Sequence, residues 1–180
     1  TDQTDQETCK TCTLGQISQK GSASCSACPA GKAGTTSCIE CLVGEFRSGS
    51  DVNAIACKSC PLGTYQPEKG QGSCFPCIPG KFNDGTTQTS CKDCAENTFN
   101  AETEQKICTN CPTGWKSEIS STKCLRCPKG TYGVFDSIGK VHCGSCPRGY
   151  YQNEEAKHSC TDCPLGYFQS LIKSTECGKC

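Results

Sequence analysis

Twenty-two of the 180 residues are cysteine, and every one belongs to a Cys-x-x-Cys pair. The pairs begin at Cys9, Cys25, Cys38, Cys57, Cys74, Cys91, Cys108, Cys124, Cys143, Cys160 and Cys177. Their starts lie 16, 13, 19, 17, 17, 17, 16, 19, 17 and 17 residues apart, which hints at a five-unit super-period. One short cysteine-clipped unit is thus repeated along the whole chain. An array of this kind stacks small modules, each against its neighbours, and offers surface along its length rather than a deep interior for chemistry.

Cross-links have to do the work of a core. Leu, Ile, Val and Phe together number 24 of 180 residues, about 13%, below the roughly 20% under which a chain cannot bury enough apolar area to offset its conformational entropy. The mean hydropathy of -0.51 points the same way. Closing a loop of about 15 residues with a disulfide contributes on the order of 3 kcal/mol in the chain-entropy picture, so ten such loops would dominate stability. Disulfides persist in oxidising compartments, which places the chain in a secreted or cell-surface setting. No apolar stretch is long enough to span a membrane. The sequence has no methionine and no signal peptide, as expected of a segment rather than a whole reading frame. Eighteen basic residues balance 18 acidic ones, which removes the electrostatic case for nucleic acid or an anionic membrane as partner.

Aligned on the second cysteine of each pair, the unit reads Cys-Pro-x-Gly-x-aromatic, then a polar stretch, then the next Cys-x-x-Cys. The third residue after that cysteine is Gly15, Gly31, Gly44, Gly63, Gly80, Asn97, Gly114, Gly130, Gly149 and Gly166. Glycine with one asparagine predicts a turn with a left-handed residue. Pro29, Pro61, Pro112, Pro128, Pro147 and Pro164 prepare that turn. Phe46, Tyr65, Phe82, Phe99, Tyr132, Tyr151 and Phe168 lie two residues beyond the glycine position. Recurring in step with the cysteines, they read as the repeat's core aromatics, each covering a disulfide, rather than as a ligand stripe. The polar stretch, such as Gln66 to Ser73, predicts a short strand, a turn and a short return strand before the next cysteine. No segment sustains a helical apolar period. The fold class expected is therefore a small, disulfide-rich, extended repeat rod of short β-hairpins and irregular loops with little or no helix. Residues 1–180 form one continuous array of about ten repeats of roughly 17 residues.

Two pairings fit the cysteines. In the serial one, the second cysteine of each motif bonds the first of the next: Cys12–Cys25, Cys28–Cys38, Cys41–Cys57, Cys60–Cys74, Cys77–Cys91, Cys94–Cys108, Cys111–Cys124, Cys127–Cys143, Cys146–Cys160 and Cys163–Cys177. In the interlocked one, adjacent motifs knot first to third and second to fourth, which strands a whole motif of the eleven. The serial ladder is preferred because each Pro-x-Gly-x-aromatic segment then lies inside one loop. It leaves Cys9 and Cys180 over. Because the chain begins and ends mid-repeat, these two are expected to pair with cysteines outside this window of a longer protein, or to link subunits.

Rival chemistries find little support. The spacing matches a zinc ribbon, but the recurring proline, the odd motif count and the neutral charge oppose it. A thiol-disulfide oxidoreductase needs one exposed motif on an α/β scaffold. Hydrolysis lacks residues: His142 and His158 are the only histidines and stand in equivalent segments before a cysteine. No glycine-rich phosphate loop occurs. The cluster Lys116, Lys123, Arg126 and Lys129 reads as a solvated face, although with Trp115 it is the nearest thing to a ligand anchor. No catalytic residue, metal ligand or cofactor site is therefore assigned. Asn-linked glycosylation has no sequon, whereas 37 Ser and Thr leave room for O-linked glycans.

The segment from Cys57 to Cys77, Cys-x-x-Cys-Pro-x-Gly-Thr-Tyr-Gln…Gly-x-x-Ser-Cys-x-x-Cys, resembles the cysteine-rich repeat of ephrin-type receptors. It is more distantly similar to the first loop module of tumour-necrosis-factor-receptor cysteine-rich domains. The resemblance covers essentially the whole chain and implies the serial loop. It also implies occurrence in receptor ectodomains or in large secreted and surface proteins of protists and algae. The short loop from Cys28 to Cys38, with Ala33 in the aromatic slot, and Asn97 depart from the pattern. Two functions follow as expectations: an extracellular structural repeat forming a filament or appendage shaft, through self-assembly or with other filament proteins, or a receptor segment binding a protein ligand.

Overall fold

The structure, a computed structural model, describes residues 11–180 apart from 14, 19, 52–54, 138 and 140. The described residues form short antiparallel hairpins and no helix. Ten disulfides join the second cysteine of one motif to the first of the next, from Cys12–Cys25 to Cys163–Cys177. Each clips a loop whose ends lie 10 to 16 residues apart in sequence.

Each hairpin begins with the turn. The residue four beyond the second cysteine donates its N–H to the carbonyl three residues earlier, as Thr64 does to Pro61 at 3.1 Å and Lys81 to Ile78 at 3.1 Å. The residue before the donor is left-handed in all ten loops, from φ 62° at Asn97 to 85° at Gly114, which is the geometry of a type II turn. The expected turn is therefore present throughout. The return strand is not where the sequence pattern put it. The polar stretch before the cysteine stays irregular, and the strand is the x-x dipeptide inside the next Cys-x-x-Cys. Lys81–Phe82 pairs with Lys92–Asp93, and Thr98–Phe99 with Thr109–Asn110. Each motif therefore closes one hairpin with its dipeptide and opens the next with its second cysteine.

The chain divides into two compact units, Thr1–Phe75 with Gly85–Ser90, and Pro76–Asp84 with Cys91–Cys180. The same three backbone bonds recur at junctions between consecutive loops in both units. In the first unit, Gly44 donates to the Gln66 carbonyl at 2.8 Å, Arg47 to Gln71 at 3.2 Å, and Gly70 back to Cys41 at 2.9 Å. In the second unit, Gly130 donates to Gln152 at 2.7 Å, Gly133 to Lys157 at 2.8 Å, and Ala156 back to Cys127 at 2.9 Å. The returning donor sits at the tip of its loop and is left-handed: Gly70, Thr87, Glu104, Ser120, Ala156 and Lys173. Such a conformation costs a non-glycine residue roughly 1–2 kcal/mol, which the bond to the buried cysteine carbonyl offsets.

That tip also explains the glycine. A Cβ on Gly44 would collide with the Thr87 carbonyl, one on Gly80 with Ser120, and one on Gly114 with Ala156. Each of these tips belongs to the loop two further on.

The interior is sulfur and polar atoms. Cys28, Cys41, Cys60, Cys77, Cys94, Cys127 and Cys146 are buried, while Ile39, Leu42, Ile78 and Leu165 stay exposed. Beside the cysteines lie Arg47, Gln66, Asn83, Asn100, Ser117 and Gln152, all buried and all six residues beyond a second cysteine.

Candidate functional site

The buried polar position repays inspection first, because it shows what each loop needs. Gln66 donates its side-chain amide to the Ser73 carbonyl at 2.7 Å and accepts the Glu68 N–H at 3.0 Å. Gln152 repeats this with Ser159 at 2.8 Å and Glu154 at 3.0 Å, and Gln169 with Glu176 and Leu171. Glutamine thus staples its own loop. The shorter side chains at this position reach backwards instead: Asn100 donates to the Lys81 carbonyl and Ser117 to that of Thr98, both at 2.8 Å.

Arg47 does something else. Its loop is long, with the bridged cysteines 16 residues apart. Its buried guanidinium donates to the Cys28 carbonyl at 2.5 Å, to that of Pro29 at 3.2 Å, and to that of Asp51. The Cys28 carbonyl is the equivalent of the Cys41, Cys60, Cys77, Cys94, Cys127 and Cys146 carbonyls, each of which accepts the N–H of the following loop's left-handed tip. Among the described residues Arg47 stands in place of that tip.

The other long loop, closed by Cys127–Cys143, also spans 16 residues. Its extra residues extend the ladder: Thr131–Phe135 pairs with Val141–Ser145, from Thr131 opposite Ser145 to Phe135 opposite Val141. Gly133 stands at the polar position. A Cβ there would lie 2.6 Å from the Gly114 nitrogen, so no side chain fits. Among the described residues no backbone or side-chain donor reaches the Cys111 carbonyl, and Cys111 is half-buried where its equivalents Cys94 and Cys127 are buried. A groove of about 530 Å³ opens there, lined by Ala95, Asn97, Thr98, Asn110, Cys111 and Phe135 among others. A second groove of about 430 Å³ adjoins it across Val141, with Lys116, Glu118, Ile119 and His142 on its walls. Phe135 and Ile119 project beside them, 60% and 61% exposed.

Asn97, the exception to the glycine rule, belongs to this place. The loop two further on is the extended hairpin, whose Phe135, Gly139 and Val141 line the same groove as Asn97. Asparagine tolerates φ 62° there.

Surface charges are paired across strands. Lys81 meets Asp93 at 2.5 Å, and the Ser120 hydroxyl donates to the same carboxylate at 2.5 Å. Those two hydrogen bonds, from Lys81 first and Ser120 second, hold the Asp93 carboxyl below its ordinary value. Lys92 does the same for Asp84, and Lys157 for Glu154. The Arg126 guanidinium lies 5.0 Å from the Trp115 ring and its side chain 3.8 Å from Glu155. Trp115 is therefore engaged with its cross-strand partner, while Lys123 and Lys129 are exposed.

The cysteines Cys12, Cys25, Cys28, Cys38, Cys41, Cys57, Cys60, Cys74, Cys77, Cys91, Cys94, Cys108, Cys111, Cys124, Cys127, Cys143, Cys146, Cys160, Cys163 and Cys177 lie in the ten bridges. Cys9 lies outside the described residues, and Cys180 is an exposed thiol. The aromatics sit differently from the expected core. Phe46, Tyr65, Phe82, Phe99, Tyr132 and Tyr151 are only half-buried, and Phe168 is 52% exposed. A two-residue strand has one face on the loop and one in water, and the space over the sulfurs is taken by the buried polar side chains and neighbouring backbone. The rings act locally instead, as Tyr65 does on Phe75 at 5.9 Å and Phe82 beneath Lys92 at 6.0 Å. Among the described residues no group of His, Cys, Asp or Glu is arranged to hold a metal, and no helix is long and apolar enough to cross a membrane.

The residue pattern missed two features. The sixth position after the second cysteine is Ser, Gly, Arg, Gln, Asn, Asn, Ser, Gly, Gln and Gln along the chain, a polar column visible once aligned. The left-handed tips carry no such signal, because Thr, Glu, Ser, Ala and Lys all occur there.

The disulfide ladder is the chemistry of an extracellular-type module. Comparison with known proteins agrees. Part of the chain, 30% identical over 108 residues, is similar to the signal peptide, CUB and EGF-like domain-containing protein 2 of Danio rerio. The match covers 60% of this chain but 9% of that protein's length. The family described as tyrosine-protein kinase ephrin type A/B receptor-like matches residues 49–87 and 133–180. The resemblance read at Cys57 to Cys77 therefore holds, and over those two stretches the chain is similar to ephrin-receptor-type cysteine-rich repeats.

Proposed function

We propose that the chain is a structural segment of an extracellular protein, a disulfide-laddered shaft or spacer whose repeats present equivalent side surfaces to copies of itself or to other filament proteins. The observation that supports this reading is the junction. The same three backbone bonds join most consecutive loops of the second unit, and the 41–57 and 60–74 loops of the first, so at those junctions load would pass from loop to loop through main chain and sulfur rather than through a soft apolar core. Its Cys9 and Cys180 would then pair outside the segment. Electron microscopy of the native material tests the proposal: fibres with a repeat commensurate with the loops support it, and compact isolated particles overturn it. Thiol reductant should abolish the fold and a metal chelator leave it intact; the reverse pattern would restore zinc.

A second reading, a surface-protein segment that binds a protein ligand, is favoured by the 127–143 loop, where the array departs from its own pattern and opens two adjoining grooves. The Danio rerio relative, by its name, carries a signal peptide with CUB and EGF-like domains, which suits either reading.

A further inference from the structure

Charge is unevenly laid out in the second unit. Residues 93–104 hold Asp93, Glu96, Glu102 and Glu104 with no lysine or arginine. Residues 106–129 hold Lys106, Lys116, Lys123, Arg126 and Lys129 against the single acid Glu118. The 94–108 loop thus carries acid, and the 111–124 loop with the motif that closes it carries base. Lys81 and Asp93 are matched at short range, as are Lys157 and Glu154. Glu102, Glu104, Lys106 and Lys123 are exposed and join no ion pair among the described residues.

Acid and base reach the same face. A loop tip lies beside the second dipeptide residue of the motif that opens the preceding loop. The Ser120 hydroxyl donates to Asp93 at 2.5 Å, and Glu155, next to the tip Ala156, lies 3.8 Å from Arg126. Glu104 is such a tip, with its N–H on the Cys77 carbonyl, and Arg126 is such a dipeptide residue. Arg126 is also held in place: its guanidinium lies 5.0 Å from the Trp115 ring while its side chain stays 60% exposed. Little rotamer freedom is then left to lose on binding. Ile107 and Leu125, 71% and 54% exposed, interrupt the charges with apolar surface, as in a contact with an apolar centre and a polar rim.

The partner must carry both signs in the opposite order. A polyanion such as a sulfated polysaccharide would be drawn to Lys123 and Arg126 and repelled by Glu102 and Glu104 in the neighbouring loop. A second copy laid antiparallel sets each acidic block on the other's basic block, twice over, about one two-fold axis. A parallel copy in register sets like charge on like.

We infer that the 94–124 stretch is an isologous self-association face, on which a second copy docks antiparallel with its Lys123 and Arg126 against Glu102 and Glu104 of the first. The inference rests on the shaft reading for the identity of the partner, and it adds the face and the orientation.

The test is sedimentation equilibrium of the whole oxidised chain, its free thiols alkylated so that no covalent dimer forms. The expected result is a monomer–dimer equilibrium in the micromolar range that weakens about tenfold between roughly 0.05 M and 0.5 M salt. Glu102→Lys with Glu104→Lys should weaken self-association at least about tenfold, and so should Lys123→Glu with Arg126→Glu. Lysine is accepted at a left-handed tip, since Lys173 occupies one. An equimolar mixture of the two variants should restore the dimer, because one then carries only base and the other only acid. Leu125→Ser, a residue that Ser26 already provides at that repeat position, should weaken the dimer several-fold without changing its salt dependence. It covers the case in which Arg126→Glu, so near Glu155, fails to fold. A monomer up to about a millimolar, a dimer indifferent to salt or to Leu125→Ser, or folded variants that do not restore each other would overturn the inference. So would tight binding of heparin by a chain that does not self-associate. Fibres of native material that persist when the charge reversals change nothing would sink this face alone, whereas a salt-sensitive dimer without fibres would sink the shaft alone.

Discussion

The 41–57 and 127–143 loops have the same length between their bridged cysteines and meet the same packing problem with different means. Among the described residues neither shows the tip bond that covers the preceding cysteine carbonyl elsewhere. The first holds Ser48-Gly49-Ser50-Asp51, turn-forming residues that fold back, and it covers the carbonyl with Arg47. Asp51 finishes the arrangement by taking an ion pair from Lys58 at 3.0 Å. The second holds Thr131-Tyr132-Gly133-Val134-Phe135, which favours a strand, and it runs straight on as a five-residue ladder, with no donor to the carbonyl among the described residues. Equal loop length therefore does not set the outcome; the residues at the polar position and the tip do.

The comparison can be broken most severely at the bridges. Replacing both cysteines of Cys41–Cys57, or both of Cys127–Cys143, by serine should cost about 3 kcal/mol in each case, because the entropic term depends on loop length alone. Any excess reports contacts, and the excess should be larger for the first, whose loop holds the buried arginine. Hydrogen exchange at the Gly44 and Gly130 amides, each bonded to the next loop, measures the two. Equal losses would show that Arg47 contributes nothing beyond the clip.

Arg47→Ala comes next. It removes charge-assisted bonds to three carbonyls and should cost about 2–3 kcal/mol, read as faster exchange confined to the loops on either side of Cys28. A change below the noise would mean that water replaces the guanidinium without loss.

A sharper probe compares Gly80→Ala with Asn97→Gly. Gly80 is left-handed and also presses on the Ser120 carbonyl, so alanine should cost more than the 1–2 kcal/mol or so of the backbone conformation alone. Asn97 already carries a Cβ at φ 62°, so glycine there should change stability by less than about 0.5 kcal/mol. Thermal melts of the two variants decide it, and a large loss at Asn97 would show that the groove beside it is tighter than described.

The smallest effect is electrostatic. Asp93 is held below its ordinary value by Lys81 and Ser120, so its stabilising bonds are fully present above the unfolded carboxylate value of about 3.9 and are lost as pH falls through the lower folded value. The Ser120 amide resonance should stay constant down to about pH 4 and move below it. Asp93→Asn should abolish that movement. A shift centred at neutral pH would contradict the assignment.

How far could the residues be read unaided? The glycine at Gly31 or Gly80 announced a left-handed turn because only glycine and asparagine tolerate that conformation readily, and the exception at Asn97 was visible too. The hairpins were expected, but the return strand was placed before each cysteine. Lys92-Asp93 carries little strand propensity of its own, and it pairs because the disulfide beside it holds it against the turn. The aromatics misled for a related reason: Phe82 and Phe99 looked like a core, whereas a ladder this narrow buries its sulfurs and a column of amides and leaves the rings at the edge. The polar position of Gln66, Asn83 and Asn100 was printed in the alignment, but polar residues in a polar loop attract no notice until their burial is known.

The contact between a turn glycine and the tip two loops on has a consequence for how such an array melts and how it changes by mutation. A chain of modules coupled only to nearest neighbours frays one module at a time from an end or a weak link. Coupling to second neighbours lengthens the stretch that must open together, so that losing one module undermines the contacts of those on both sides. Within each unit the loops should then exchange in overlapping groups of three rather than singly, and deletion of one loop would bring together partners out of phase by one. Arrays built this way gain or lose modules most safely where the second-neighbour contact is already missing.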